Sequence, residues 1–317
     1  MMHVDTEKVA RRAQAWHRAG IPCWWVTVLS TFGSSSAPPG SVLAVSETEA
    51  WAGSIGIANI NQAVVRRVLA SAPDESIELT LGANAESARA MGLPIGADPV
   101  VVQIERIRDD AVAGLEELAS LLSQRRSVAR SLVSGQVAEA PRFAPVVSAD
   151  LETVVHHPSW RLIMTSATPL TVEIGERVSS LGFACDVIEP REPFQATWPQ
   201  RTTLAHCRVH TRSVEEAVAA MHFDERTAVL ALAHDPELDD PLLMATRDAP
   251  LFLVGALGSK ANHAGRLERL RAAGATDQAL ARIHGPVGLD IGSRTPAEIG
   301  VSIVAQLIAA RRDMANG

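Results

Sequence analysis

The sequence predicts an α/β protein, with a C-terminal doubly wound parallel sheet and a smaller N-terminal α+β domain. Three observations carry this. From Arg161 onward, short apolar runs alternate with capped helical segments. The clearest run, residues 227–233, is apolar throughout apart from Thr227, as expected of a strand buried on both faces. Before about Gln124, strand-like and helix-like segments are mixed without that alternation.

The N-terminal half opens with a helix over residues 6–19. Asp5 or Thr6 can cap it, Val9, Ala13 and Trp16 recur at helical spacing, and Gly20 ends it. Residues 23–29 read as a buried strand. A turn-rich stretch from Phe32 to Gly40 leads into a second strand over 41–45. Residues 51–60 are small and glycine-containing, and 62–70 look helical. Strands are expected at 77–81 and 100–107, and a helix at 109–123, where Val112, Leu115, Leu118 and Leu122 share one face. From Gln124 to Trp160 the periodicity lapses, with short strands expected at 127–133 and 153–156. The pairs Arg125-Arg126, His156-His157 and Arg311-Arg312 read as solvated surface. The boundaries that follow are a domain over 1–135, a linker over 136–160 and a second domain over 161–317.

In the second domain, strands are expected at 161–165, 183–188, 206–209, 227–233 and 250–254. Helices fall between them at 170–181, from Ser213 to about 221, and at 239–246, then at 260–273 and from Thr295 to about 311. Ser213 and Glu216 form a capping box, Ser259 is a candidate N-cap, and Thr295-Pro-Ala-Glu298 combines a cap, a first-turn proline and a box glutamate.

Composition excludes several function classes. The net charge of −7 disfavours nucleic acid as a partner, because phosphate neutralisation needs clustered Lys and Arg. Tyr is absent, so no tyrosine acid or base operates. Cys23, Cys185 and Cys207 are far apart with no Cys-x-x-Cys pair, which argues against a structural zinc or iron–sulfur site and fits a reducing compartment. No apolar run approaches the ~20 residues of a membrane span, and the N-terminus lacks a secretory pattern. The expectation is a cytoplasmic protein.

In open parallel sheets, ligands bind beyond the carboxyl ends of the strands. Three polar or glycine-rich segments fall there. The first is His234-Asp235, followed by Asp239 and Asp240. The second is Gly255-Ala-Leu-Gly258-Ser259, leading into a helix. The third is His284-Gly-Pro-Val-Gly288-Leu-Asp290-Ile-Gly292. The Gly255–Ser259 turn suits an anion such as phosphate, with Arg266 two turns on to assist. The same pattern also fits a tight turn with Ser259 as a cap. His234 and Asp235 are a candidate catalytic proton-transfer pair, a metal site or a polar anchor; Asp239 and Asp240 read as helix-capping acids. After residues 161–165 a dinucleotide site would need G-x-G-x-x-G, but Thr165-Ser-Ala-Thr-Pro169 stands there. This argues against ordinary NAD binding, although Glu189 occupies the place of a ribose-binding acid.

These residues resemble the XdhC/CoxI family, accessory proteins of molybdenum hydroxylases such as xanthine dehydrogenase. The likeness is strongest from Arg226 through His234-Asp235-Pro, Gly255–Ser259, Arg266, Leu270 and His284–Gly292 to Thr295-Pro-Ala-Glu-Ile299. It continues more weakly in Gly33-Ser-Ser, Pro39-Gly-Ser41 and Gly53-Ser54. The resemblance implies a Rossmann-like C-terminal domain and a chaperone that binds molybdenum cofactor (molybdopterin), protects it during sulfuration and delivers it to an apo-hydroxylase. Gly255, Gly258, Ser259, Arg266, His284 and Asp290 are then the cofactor-binding candidates, with no protein-bound metal. A cysteine desulfurase is the second implied partner, and a homodimer the implied assembly, with Trp24, Trp25 or Trp51 as interface candidates. Where the family carries cysteines, this chain has Ile57-Ala-Asn59 and Ile95-Gly-Ala97. An enzyme on the same scaffold, acting through His234 and Asp235 on a small phosphorylated or heterocyclic substrate, is the alternative.

Overall fold

The structure, a computed structural model, describes residues 5–31, 38–56, 58–82, 84–90, 99–140, 148, 152–197 and 207–316. The chain divides into two units, Met1–Ser159 and Trp160–Gly317. The Gly33-Ser-Ser turn and the Ile95-Gly-Ala97 segment lie outside the described residues.

The first unit runs α1 (Thr6–Arg18), β1 (Cys23–Thr31), β2 (Val42–Ser46), β3 (Trp51–Gly53), α2 (Ala58–Ser71), β4 (Ile77–Leu81), α3 (Ala85–Ala90), β5 (Val100–Arg106), α4 (Asp109–Ser123), β6 (Val128–Ser131), β7 (Val137–Glu139) and β8 (Thr153–His156). Five of these strands form an antiparallel sheet in the order β3-β2-β1-β5-β4. Both of its faces are covered, which is why β1 shows no polar alternation. Trp24, Val26 and Val28 pack with Val64 and Val68 of α2. Cys23 and Trp25, pointing the other way, pack with Val9 and Ala13 of α1 and Leu115 and Leu118 of α4. The strands β7, β6 and β8 make a second, three-stranded sheet, so the stretch read as a linker carries ordered pairing.

Burial corrects two readings of single residues. His156, read as solvated, is 3% exposed, because pairing of β8 with β6 turns it inward, where it meets the edge of the Trp25 ring. Arg311, read as surface charge, is half-buried over the rings of Trp160 and Phe183. Trp51, in contrast to the buried Trp24 and Trp25, is 45% exposed.

The second unit runs β9 (Arg161–Thr165), α5 (Pro169–Ser180), β10 (Ala184–Ile188), α6 (Glu192–Thr197), β11 (Cys207–His210), α7 (Val214–Ala219), β12 (Thr227–Ala231), α8 (Pro236–Ala245), β13 (Leu253–Ala256), α9 (Lys260–Ala272), α10 (Asp277–Ala281), β14 (Ile283–His284) and α11 (Pro296–Asn316). All six strands are parallel, in the order β11-β10-β9-β12-β13-β14. Counted from the unit's first strand this is 3-2-1-4-5-6, the Rossmann order. Alternation along the strands feeds two cores. Leu162, Met164, Val187 and Leu230 face α5 and α11 through Ile174, Val178, Ile303 and Leu307. Ile163, Ile188, Val229 and Ala231 face the other way, toward Val214, Leu238, Leu242, Leu270 and Leu280. Helices therefore cover both faces, and the doubly wound parallel sheet is observed.

Candidate functional site

The strand order reverses between β9 and β12, and the segments leaving those strands splay apart there. Two non-glycine residues with left-handed backbone stand at this point. Ser166 follows β9 with φ 74°, and His234 follows β12 with φ 56°. Such conformations cost of order 1–3 kcal/mol and persist only where the surroundings hold them.

What holds them is a network centred on Glu189 and Arg191. Glu189 leaves β10 fully buried and accepts from Ala167 N at 2.9 Å, Arg191 N at 3.1 Å, and Arg191 Nε and Nη2 at 2.8 Å each. Arg191 Nη2 also donates to Ser166 Oγ at 3.0 Å, and its Nη1 stands 3.7 Å from Asp235. One guanidinium thus ties together the segments following β9, β10 and β12. Burial would raise the Glu189 carboxyl, but the Arg191 hydrogen bonds and the two backbone donors outweigh it and hold the group below the ordinary carboxylate range.

On the other side of β12, Asp239 corrects the capping role read from sequence. The cap of α8 is Asp235, whose side chain accepts from Glu237 N. Asp239 lies 1% exposed, a turn into the helix. Its Oδ1 accepts from Thr165 Oγ1 at 2.7 Å and Ala233 N at 3.1 Å, while Thr165 Oγ1 in turn accepts from Leu232 N at 2.8 Å. Its Oδ2 has no hydrogen-bond partner and stands 3.7 Å from Arg266 Nη2. Burial raises the Asp239 carboxyl, against the opposing pull of Thr165, Ala233 and Arg266.

Arg266 points back from α9, as the sequence requires for a role at the turn. Its Nη2 donates to Leu257 O at 3.0 Å, and its Nε and Nη1 are buried without partners. The Nδ1 of His263, one turn earlier on α9, is also buried and unpartnered, and burial followed by the Arg266 charge lowers that imidazole's affinity for a proton. Orphaned buried polar atoms cost about 1–3 kcal/mol each. Four such atoms, on Asp239, His263 and Arg266, lie on α8 and α9.

The other sequence-derived residues fall around this cluster. Gly255 is inside β13, where an added Cβ would stand 2.5 Å from Val287 Cγ2 and 2.8 Å from Leu230 Cδ2; glycine is needed there for close packing. Gly258 follows the strand with φ 138°, a conformation for which glycine is suited, and Ser259 caps α9 through Asn262 N. His284 is exposed at the end of β14 and pairs in register with Gly255. Asp290 is exposed further along that segment. Backbone bonds from Leu257 N to Ala231 O and from Val287 N to Ala256 O join the three segments at one edge of the sheet. His234 is exposed beside the cap residue Asp235. Among the described residues, no group of three His, Cys, Asp or Glu side chains stands ready to hold a metal ion, and no helix is long and apolar enough to cross a membrane.

Residues 162–307 match the family described as the XdhC Rossmann domain, and residues 16–80 match the XdhC and CoxI family. The "Molybdenum cofactor insertion chaperone PaoD" of Escherichia coli is 33% identical over 102 residues, covering 32% of each chain. A protein of Bacillus subtilis described as a probable xanthine dehydrogenase subunit is 28% identical over 177 residues, 55% of this chain and 49% of that one. The "Uncharacterized protein YqeB" of Escherichia coli is 30% identical over 167 residues, 51% of this chain and 29% of its own. The match therefore spans less than half the length of each of these relatives. A crystal structure described as a xanthine dehydrogenase from Bacillus halodurans superposes with a TM-score of 0.71 at 19% identity, covering 98% of this chain and 96% of that one.

Proposed function

Because the chain belongs to the XdhC/CoxI family, we propose that it is an accessory protein that carries molybdenum cofactor and assists its sulfuration and insertion into a hydroxylase of the xanthine dehydrogenase type. The observation that carries this reading is the incomplete polar cluster beside the Gly258 turn. The cofactor is an anionic, phosphate-bearing pterin. Arg266 offers two buried N–H groups without acceptors, and Asp239 Oδ2 is a buried acceptor without a donor. A ligand carrying both an anion and ring N–H groups complements that pair, and the start of α9 adds backbone donors for a phosphate. Arg266 is 5% exposed and held to the turn through its Nη2 on Leu257 O, so a guest that bonds its remaining N–H groups sits against Leu257 and Gly258.

The same geometry argues against an ordinary dinucleotide. The carboxylate that would receive a ribose hydroxyl is Glu189, and its oxygens are spent on Ala167 and Arg191. In this reading His284 and Asp290 form the outer wall, and the hydroxylase supplies the catalysis.

The test is the small-molecule content of protein purified without oxygen from cells that make the cofactor. Oxidation to a fluorescent pterin is expected to release close to one equivalent per chain, and Arg266→Leu is expected to lower that at least tenfold with the fold retained. Absence of pterin from the wild-type protein, or equal loading of the variant, overturns the proposal.

A further inference from the structure

The sheet of the second unit holds a thiol pair at the end opposite the site just described. Cys185 is the second residue of β10 and Cys207 the first of β11, and the two are Cα partners in the parallel register. Neighbouring strands lie about 4.8 Å apart, inside the roughly 4.4–6.8 Å between Cα atoms that a disulfide spans. Both side chains point to the same face, where Cys185 belongs to the core against α5 and α11 and Cys207 packs at its margin. Both are free thiols, and the adjacent Cys207 together with burial pushes the Cys185 thiol up. Cys185 is 3% exposed, whereas Cys207 is half-buried on the edge strand. The pair is thus asymmetric: one thiol within reach of a reagent, the other held behind it.

We propose that Cys207 and Cys185 are a site of oxidation by peroxides, with Cys207 attacked first and Cys185 resolving it into a disulfide across β10 and β11. The Cys207 thiolate displaces hydroxide from hydrogen peroxide, and its sulfur becomes a sulfenic acid. The Cys185 sulfur then attacks the sulfenic sulfur, the new S–S bond forms, and the S–O bond breaks with loss of water. Two thiols lose two electrons and two protons in all, and one peroxide becomes two waters. The bond fastens the sheet's edge strand to its neighbour. Reduction by a small thiol reverses it through a mixed disulfide, with the half-buried Cys207 sulfur nearer the surface than Cys185.

Cys23 supplies an internal control. It lies fully buried in the first unit, where burial pushes its thiol up to about 11, and its Sγ donates to Ala13 O. The Cys185 thiol is raised as well, so what sets Cys23 apart is that its unit holds no second cysteine to resolve an oxidised sulfur.

The experiment treats the full chain with stoichiometric hydrogen peroxide, then alkylates under denaturing conditions and maps peptides without reduction. The expected result is loss of two of the three titratable thiols, a mass lower by two hydrogens, and a single linked peptide joining Cys185 to Cys207, all reversed by dithiothreitol. Cys207→Ser, a change at the half-buried position, is expected to leave Cys185 and Cys23 fully alkylatable after the same treatment. Three alkylatable thiols in treated wild-type protein overturn the proposal. So does oxygen added at Cys207 while Cys185 stays free, or oxidation of Cys185 at an undiminished rate in Cys207→Ser.

Discussion

His156 makes the stability of the first unit depend on pH in a calculable way. Its ring is buried at 3% exposure against Trp25, its Nε2 has no hydrogen-bond partner, and burial, with the charge of Arg130, lowers its pKa from 6.5 to about 3. The unfolded chain binds a proton near the ordinary histidine value, while the folded chain refuses it. The neutral ring's contribution is therefore complete above the unfolded pKa and is lost as pH falls below it. Between about pH 7 and pH 5 the linkage amounts to roughly 2 kcal/mol, and this figure is insensitive to the folded value so long as that stays below about 4. The assay is urea unfolding of the wild-type protein and His156→Gln, followed by tryptophan fluorescence at several pH values across that window. Whatever the substitution costs at neutral pH, the gap between the two proteins is expected to shift in favour of His156→Gln by about 2 kcal/mol at the acid end. Parallel pH profiles, with the gap unchanged to within ~0.5 kcal/mol, would refute the burial of a neutral imidazole.

Three further substitutions probe the second unit. Glu189→Ala strands the Ala167 N–H and releases Arg191, and is expected to cost about 2–4 kcal/mol at neutral pH. Because the folded carboxyl sits below its ordinary range, that difference should shrink as pH drops under about 4.3, and calorimetry across pH checks both size and direction. Gly255→Ala forces a Cβ to within 2.5 Å of Val287 Cγ2 and should lower stability by about 1–3 kcal/mol. Gly265→Ala, on α9 with only Arg269 Nη1 at 4.0 Å, should instead raise stability by about 0.5–1 kcal/mol, and denaturant midpoints of the two variants must move in opposite directions.

The sequence exposed the parts of the fold that local chemistry governs. Residues 109–123 and 161–165 are bounded in the structure as their patterning and flanking breakers indicate, and the short strand expected at 153–156 has those bounds. The Ser213, Ser259 and Thr295 signals sit where helices begin. The doubly wound topology was readable because uninterrupted apolar runs admit few other arrangements. Short elements escaped: β7 is three residues long and α10 five, too few for a period to show. Contacts distant in sequence escaped too. Asp239 reads as one of two acids at a helix start, and only its bond to Thr165, 74 positions earlier, reveals it as a buried hub. Arg191 carries no motif, yet it binds three segments that meet only when the strand order is known. His156 looked solvated because a four-residue strand cannot announce which face is covered.

Binding of isolated molybdopterin to the purified protein separates a carrier of this cofactor from a scaffold without cargo. Wild-type protein and Gly258→Val, whose β-branched side chain cannot easily adopt φ 138°, are each mixed with the anaerobic cofactor, separated by gel filtration and measured for pterin per chain. A cofactor seated over the Gly258 turn predicts near-stoichiometric pterin on the wild type and at least a tenfold loss in the variant at unchanged elution volume. Equal pterin on both proteins, or none on either, contradicts it.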